Sequence, residues 1–81
     1  MGVPEMKERL ERFKVKRESL TIEIKGLARD IREKLNPAMV DDVVDLAVSE
    51  AATMMDSLIV KQAEMIALRS KIWELEEALG Y

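Results

Sequence analysis

The sequence predicts an all-α protein, an antiparallel hairpin of two long helices with heptad seams that assembles as a dimer into a four-helix bundle. Charged residues make up 36% of the 81-residue chain, hydrophobic residues 48% and aromatic residues only 4%, a composition typical of long helices. Two long segments repeat apolar residues at spacings of four and three. Between them lies Asn36-Pro37, the one strong break signal.

The first predicted helix runs from about residue 5 to about residue 35. Its apolar side chains share one face, which we call the α1 seam, and Arg17 fills the one polar position within it. The seam residues are Met6, Leu10, Phe13, Leu20, Ile24, Leu27 and Ile31. Gly26 is predicted to point outward and to weaken the helix by about 1 kcal/mol. Gly26 is either a tolerated weak point of the helix or a point where another chain approaches closely.

The break between the helices is predicted at residues 36–37. Asn36 is a good N-cap residue, and Pro37 suits the first position of a helix. Asp41, Asp42 and Asp45 would then lie near a helix N-terminus, where acidic side chains are favourable. The second helix is therefore expected from about residue 38 to about residue 79.

The second predicted helix carries two adjacent apolar stripes. The first stripe is a seam with Lys61 in its one polar position, formed by Val40, Val44, Ala47, Ala51, Met54, Leu58, Met65, Leu68, Ile72, Leu75 and Leu79. The second stripe is interrupted by Gln62 and Arg69 and consists of Val48, Ala52, Met55, Ile59, Ile66 and Trp73. Two stripes are wider than one partner helix covers. A second copy or another protein is expected to supply the remaining helices.

The predicted lengths leave about ten residues of the second helix beyond the end of the first. This overhang, KIWELEEALGY, holds the only Trp and the only Tyr of the chain. Exposed large apolar side chains commonly mark an interface, although Trp73 could instead cap the core of its own bundle. The predicted oligomer or partner interface is Met55, Ile59, Ile66, Ile72, Trp73, Leu75, Leu79 and Tyr81.

Arg17 and Lys61 are the polar residues within the two seams, and we expect them at one level about midway along the hairpin. Such a layer commonly fixes register or oligomeric state, and it would need an acid from Asp56, Glu64 or a neighbouring chain. The alternative is that both long side chains extend out of the seam to solvent.

The sequence offers little for catalysis. It contains no Cys and no His, which removes thiol chemistry, disulfides and the commonest zinc ligands. It has no glycine-rich phosphate loop. We therefore predict a non-enzymatic protein without catalytic residues, metal or cofactor, which self-associates as a homodimer or higher oligomer. It is expected to present a surface to a protein partner, in particular through the C-terminal end of the second helix.

The alternative hypothesis is a nucleic-acid-binding regulator that uses the basic face of the first helix, through Arg9, Arg12, Lys16, Arg29 and Arg32. Ten basic and seven acidic side chains lie within residues 1–36, against three and nine in the rest of the chain. The net charge of −3 and the pI near 5.0 make nucleic acid an unfavourable partner. No segment is apolar enough to suggest a membrane span, and a cytoplasmic location is expected.

Overall fold

A computed structural model describes residues 2–81 and consists of two antiparallel α-helices. Helix α1 spans Val3–Lys34 and helix α2 spans Val48–Leu79, each with 32 residues. They pack side by side into a rod of 60 × 15 × 15 Å. The predicted all-α hairpin is confirmed.

The connection between the helices is longer than predicted. Asn36 does act as a cap, because its Oδ1 accepts a hydrogen bond from the Ala38 N–H at 3.0 Å, but the element it starts is a 3-10 turn, Pro37–Met39. A second 3-10 turn, Val43–Asp45, begins where Asp42 Oδ1 accepts from the Val44 N–H at 3.1 Å. The predicted two-residue turn was therefore wrong.

A physical reason for the late start of α2 lies in the residues of the connection. Asn and Asp side chains hydrogen-bond to nearby backbone amides and so compete with helix formation, and β-branched valines lose side-chain freedom in a helix. Helix α2 begins ten residues later than predicted, at Val48. Val40 and Val44, which the predicted seam included, lie outside the helix, and Val44 is 81% exposed.

The end of α2 has a glycine cap. Gly80 adopts the left-handed conformation, with φ of 76°, and the Tyr81 N–H donates to the Glu76 carbonyl at 2.9 Å. This six-to-one hydrogen bond closes the last turn of the helix.

The core is the contact between the two predicted seams. Leu10 and Leu20 of α1 and Leu68 and Ile72 of α2 form one buried cluster. Partly buried side chains pack against it, namely Phe13, Ile24, Met65, Leu75 and Leu79. The seam assignment is thus confirmed wherever the helices run side by side.

Two ion pairs across the helices show the register. Lys34 Nζ lies 2.9 Å from Glu50 Oε2, and Lys61 Nζ lies 2.8 Å from Glu23 Oε2. The step from Glu23 to Lys34 equals the step from Glu50 to Lys61, so one antiparallel register holds along the rod. The helices have equal length and cover each other. The predicted overhang of α2 was wrong, because the prediction assumed a shorter connection.

Candidate self-association surface

Helix α2 carries a row of exposed apolar side chains on a face that α1 does not cover. We call this row the α2 stripe, and it consists of Val48, Ala52, Met55, Ile59, Ile66 and Trp73. All six are exposed, and the five large ones range from 42% exposed at Met55 to 63% at Trp73. The second stripe predicted from the sequence therefore lies open in a single chain.

Helical geometry explains why the α2 stripe faces outward. Each of its members directly follows a seam residue, as Ala52 follows Ala51 and Trp73 follows Ile72. Successive side chains of an α-helix point about 100° apart. The contact with α1 that buries Ile72 therefore turns Trp73 away from α1.

One end of the α2 stripe forms a shallow apolar groove. Its lining consists of Leu35 from the end of α1 and of Val48, Ala51, Ala52 and Met55 from α2, and nearly all of its surface is apolar. The short side chains of the two alanines leave a depression in the helix surface, and the groove therefore has room for a larger side chain.

The other end of the α2 stripe carries its bulkiest member. Trp73 lines a hollow together with Arg69, Ser70 and Glu74. From Val48 to Trp73 the helix rises by about 37 Å, at 1.5 Å per residue. The indole ring of one chain therefore cannot reach the groove of the same chain.

Helix α1 has no comparable exposed stripe. Its large exposed apolar side chains within Val3–Lys34 are Val3, Val15 and Ile22. Charged residues surround Val15 on the helix surface, including Lys14, Arg17 and Glu18. An apolar partner helix would have to bury these charges, which is costly. Only α2 therefore offers a long apolar face.

The predicted polar layer of Arg17 and Lys61 was wrong. The register that pairs Lys61 with Glu23 places Arg17 six residues further along α1, about 9 Å away. The acid that pairs with Lys61 comes from α1 rather than from Asp56, Glu64 or another chain. The hydrogen bond and then the charge of Glu23 raise the pKa of Lys61, and Glu50 raises the pKa of Lys34 in the same two ways.

The predicted interface residues fall into two groups. Met55, Ile59, Ile66, Trp73 and Tyr81 are exposed. The remaining three are not available for a partner in this hairpin, because they pack in the contact with α1, and they are Ile72, Leu75 and Leu79.

Leu35 was not predicted as part of a site, although it lines the groove. It lies off the α1 seam, and no pattern in the sequence indicates that it lies beside α2. Its position in the groove beside Val48 and Met55 depends on the length of the connection, which the sequence did not specify.

The bases of the nucleic-acid hypothesis are exposed but divided between two places on α1. Arg9, Arg12 and Lys16 lie in its first half, and Arg29 and Arg32 lie near its end. The gap from Lys16 to Arg29 is about 20 Å along the helix. The guanidinium of Arg9 lies over the ring of Phe13, 5.7 Å from its centroid. These bases do not form one continuous row.

Within residues 2–81, no group of three or more acidic side chains is placed to hold a metal ion. Neither described helix contains an apolar stretch of the length that a bilayer crossing requires. The chain matches no protein-family model, and no curated protein or solved structure is significantly similar to it.

Proposed function

We propose that this chain is a non-enzymatic oligomerisation and adaptor module, a helical hairpin that self-associates through the α2 stripe and presents its remaining surface to a protein partner. The observation that carries the proposal is the row of six exposed apolar side chains along about 37 Å of α2. Soluble monomers rarely leave an extended apolar patch uncovered.

The small core of the single chain also supports self-association. Within the described residues only six hydrophobic side chains are buried, four of them in one cluster. Chains of this size that lack disulfides and structural metals usually need a further source of stability, and oligomerisation is one such source. A second hairpin packed on the α2 stripe would place a second pair of helices against the first and bury the stripe between them.

Exposed apolar side chains at the two ends of the rod are the surface that would serve as an adaptor for another protein. Tyr81 is exposed beside the C-terminal end of α2, and the connection exposes Met39, Val43 and Val44 at the opposite end. These residues lie outside the α2 stripe. A dimer formed through the stripe would therefore leave apolar side chains at the rod ends for another protein.

The direct test is the mass of the protein in solution across a dilution series, with helix content followed in parallel. We expect a dimer whose helicity falls on dilution. Ile59→Asp should shift the protein to monomer, because the variant would bury a charge in the interface. Val60→Asp is the matched control, since Val60 is similarly exposed at 57% but lies outside the stripe.

Two results would contradict the proposal. The first is a wild-type protein that remains a helical monomer at every concentration. The second is an equal loss of association in Ile59→Asp and Val60→Asp, which would mean that added negative charge and not the stripe controls association.

A further inference from the structure

We infer that the occupant of the α2 stripe is the α2 helix of a second copy running antiparallel, with Trp73 of each copy seated in the groove formed by Leu35, Val48, Ala51, Ala52 and Met55 of the other. The inference rests on the proposed self-association and adds the orientation, the register and the anchor of the interface.

Size complementarity between the two ends of the stripe supports this arrangement. One end is a low apolar groove with two alanines, and the other end carries an exposed indole ring. The two features lie about 37 Å apart in one chain, so they can meet only between chains. A two-fold axis across the middle of the stripe brings them together twice, because such an interface uses the same surface on both copies.

The four-and-three spacing of the stripe gives one consistent register. With Trp73 opposite Val48 of the second copy, Ile66 lies opposite Met55 and Ile59 lies opposite Gln62. The same register places Arg69 opposite Ala52. Each layer then pairs one residue from the first half of the stripe with one from the second half, and the two bulkiest side chains, Trp73 and Arg69, meet Val48 and Ala52.

Charge favours the antiparallel over the parallel orientation. A parallel pair in matched register would set Arg69 against Arg69 and Gln62 against Gln62 inside an apolar contact, which costs free energy. In the antiparallel pair, Arg69 faces a small alanine, and its long side chain can extend to solvent. Antiparallel helices also bring opposite ends of their dipoles together.

Residues that border the stripe are compatible with close approach in the antiparallel register. Ser49 and Ser70 lie on the border away from α1 and face each other across the two copies, and Asp56 faces Ala63. No two like charges meet along this border. Helix α1 of a second copy is a poorer occupant, because charged residues surround the exposed apolar side chains on its outer surface.

Disulfide cross-linking tests the orientation, because the chain contains no cysteine and each Ser→Cys variant has a single thiol. Ser49→Cys and Ser70→Cys proteins are mixed, allowed to exchange subunits and oxidised gently. We expect the mixed disulfide between positions 49 and 70 to accumulate. The two symmetric disulfides, 49–49 and 70–70, should be nearly absent. Ser57→Cys is the control for random collision, since Ser57 is exposed on the face of α2 opposite the stripe.

The outcomes separate the inference from the proposed function on which it rests. Symmetric disulfides at positions 49 and 70 would overturn the antiparallel pairing and leave self-association standing. A dimer in which the mixture of Ser49→Cys and Ser70→Cys forms neither the mixed nor a symmetric disulfide faster than Ser57→Cys forms its own would show that the stripe is not the interface. A wild-type monomer would overturn both.

Trp73 is the only Trp of the chain, so its fluorescence reports on the groove of the other copy. The emission should shift to shorter wavelength on association. Ala52→Lys should reverse that shift, although position 52 lies about 31 Å from Trp73 along the same helix. Ala67→Lys is the control, because Ala67 is exposed outside the stripe and nearer to Trp73 in the chain. An unchanged emission in Ala52→Lys would overturn the seating of Trp73.

Discussion

Lys61 of α2 and Glu23 of α1 are joined by an ion pair in which Nζ and Oε2 lie 2.8 Å apart. Lys61 occupies a position in the α2 seam where the neighbouring residues of the repeat are apolar. The acid from α1 gives this cation a partner at the border of the contact. Together with the pair between Lys34 and Glu50, it fixes one antiparallel register.

The two lysines predict how stability depends on pH. Their glutamate partners raise both pKa values in the folded chain. A raised pKa contributes stability that is fully present below the pKa of the unfolded state and is lost as the pH rises through the folded value. We expect the melting temperature to fall above about pH 10.4, the ordinary pKa of lysine. Thermal melts by circular dichroism at increasing alkaline pH measure this fall.

The control for the pH dependence is the double variant Lys34→Gln/Lys61→Gln. It should start from a lower melting temperature at neutral pH and should lose less on going to alkaline pH. If the variant and the wild type lose the same amount, the ion pairs are not the cause of the alkaline loss.

Leu10 and Ile72 are the most deeply buried large side chains. Leu10→Ala and Ile72→Ala should each lower the free energy of unfolding by about 2–5 kcal/mol, because each leaves a cavity between the helices. Urea unfolding at one fixed protein concentration measures the change. Val15→Ala, at an exposed position of α1, should change it by less than about 0.5 kcal/mol. A small effect at both buried positions would contradict the seam contact.

Two glycines should respond to alanine in opposite ways. Gly26 lies within α1, and a Cβ atom there would meet nothing within 4 Å, so Gly26→Ala should raise the free energy of unfolding by about 1 kcal/mol. Gly80 has a φ of 76°, which an alanine adopts with strain, so Gly80→Ala should be destabilising. Both changes are measured by chemical unfolding. A destabilising Gly26→Ala would indicate that another chain packs against α1 at this position.

Trp73 should be the main anchor of self-association. Buried Trp residues are frequent hot spots, and removing one costs about 2 kcal/mol or more, so Trp73→Ala should raise the dissociation constant by about thirtyfold. Sedimentation of the variant and the wild type measures the ratio. Ser19→Ala, an exposed change on α1, should leave the constant unaltered. Equal effects of the two substitutions would remove Trp73 from the interface.

The nucleic-acid hypothesis makes a separate prediction. The basic residues of α1 are interrupted by acids and divided into two groups, and the whole chain carries a net charge of −3. We expect no gel shift of a DNA or RNA probe even at low salt, where phosphate contacts are strongest. A shift that fades steeply as salt is added would support the hypothesis instead.

The sequence predicted those features that depend on periodicity within one helix. The burial of Leu10 and Leu68 and the outward position of Trp73 follow from the four-and-three spacing and from the fixed angle between successive residues. These features can be predicted without knowing the length or conformation of the connection. The whole α2 stripe is one of them.

Features that depend on the connection were not predictable in the same way. Asn36-Pro37 is an equally good start for an α-helix and for a 3-10 turn, and the difference depends on competition among the residues that follow. The late start of α2 changed the register. For that reason the overhang and the layer of Arg17 with Lys61 were wrong, and the groove beside Leu35 was missed.

The position of the buried cluster has a consequence for how the hairpin opens. Leu10 and Ile72 lie at the end of the rod that is farthest from the connection, whereas near the connection only Ile31 and Ala51 are buried. Chain termini usually fray first. Here the terminal end holds the tightest packing, so transient opening should begin beside the connection. Backbone amides in the last turns of α1 and the first turns of α2 should therefore exchange with deuterium sooner than those around Leu10 and Ile72.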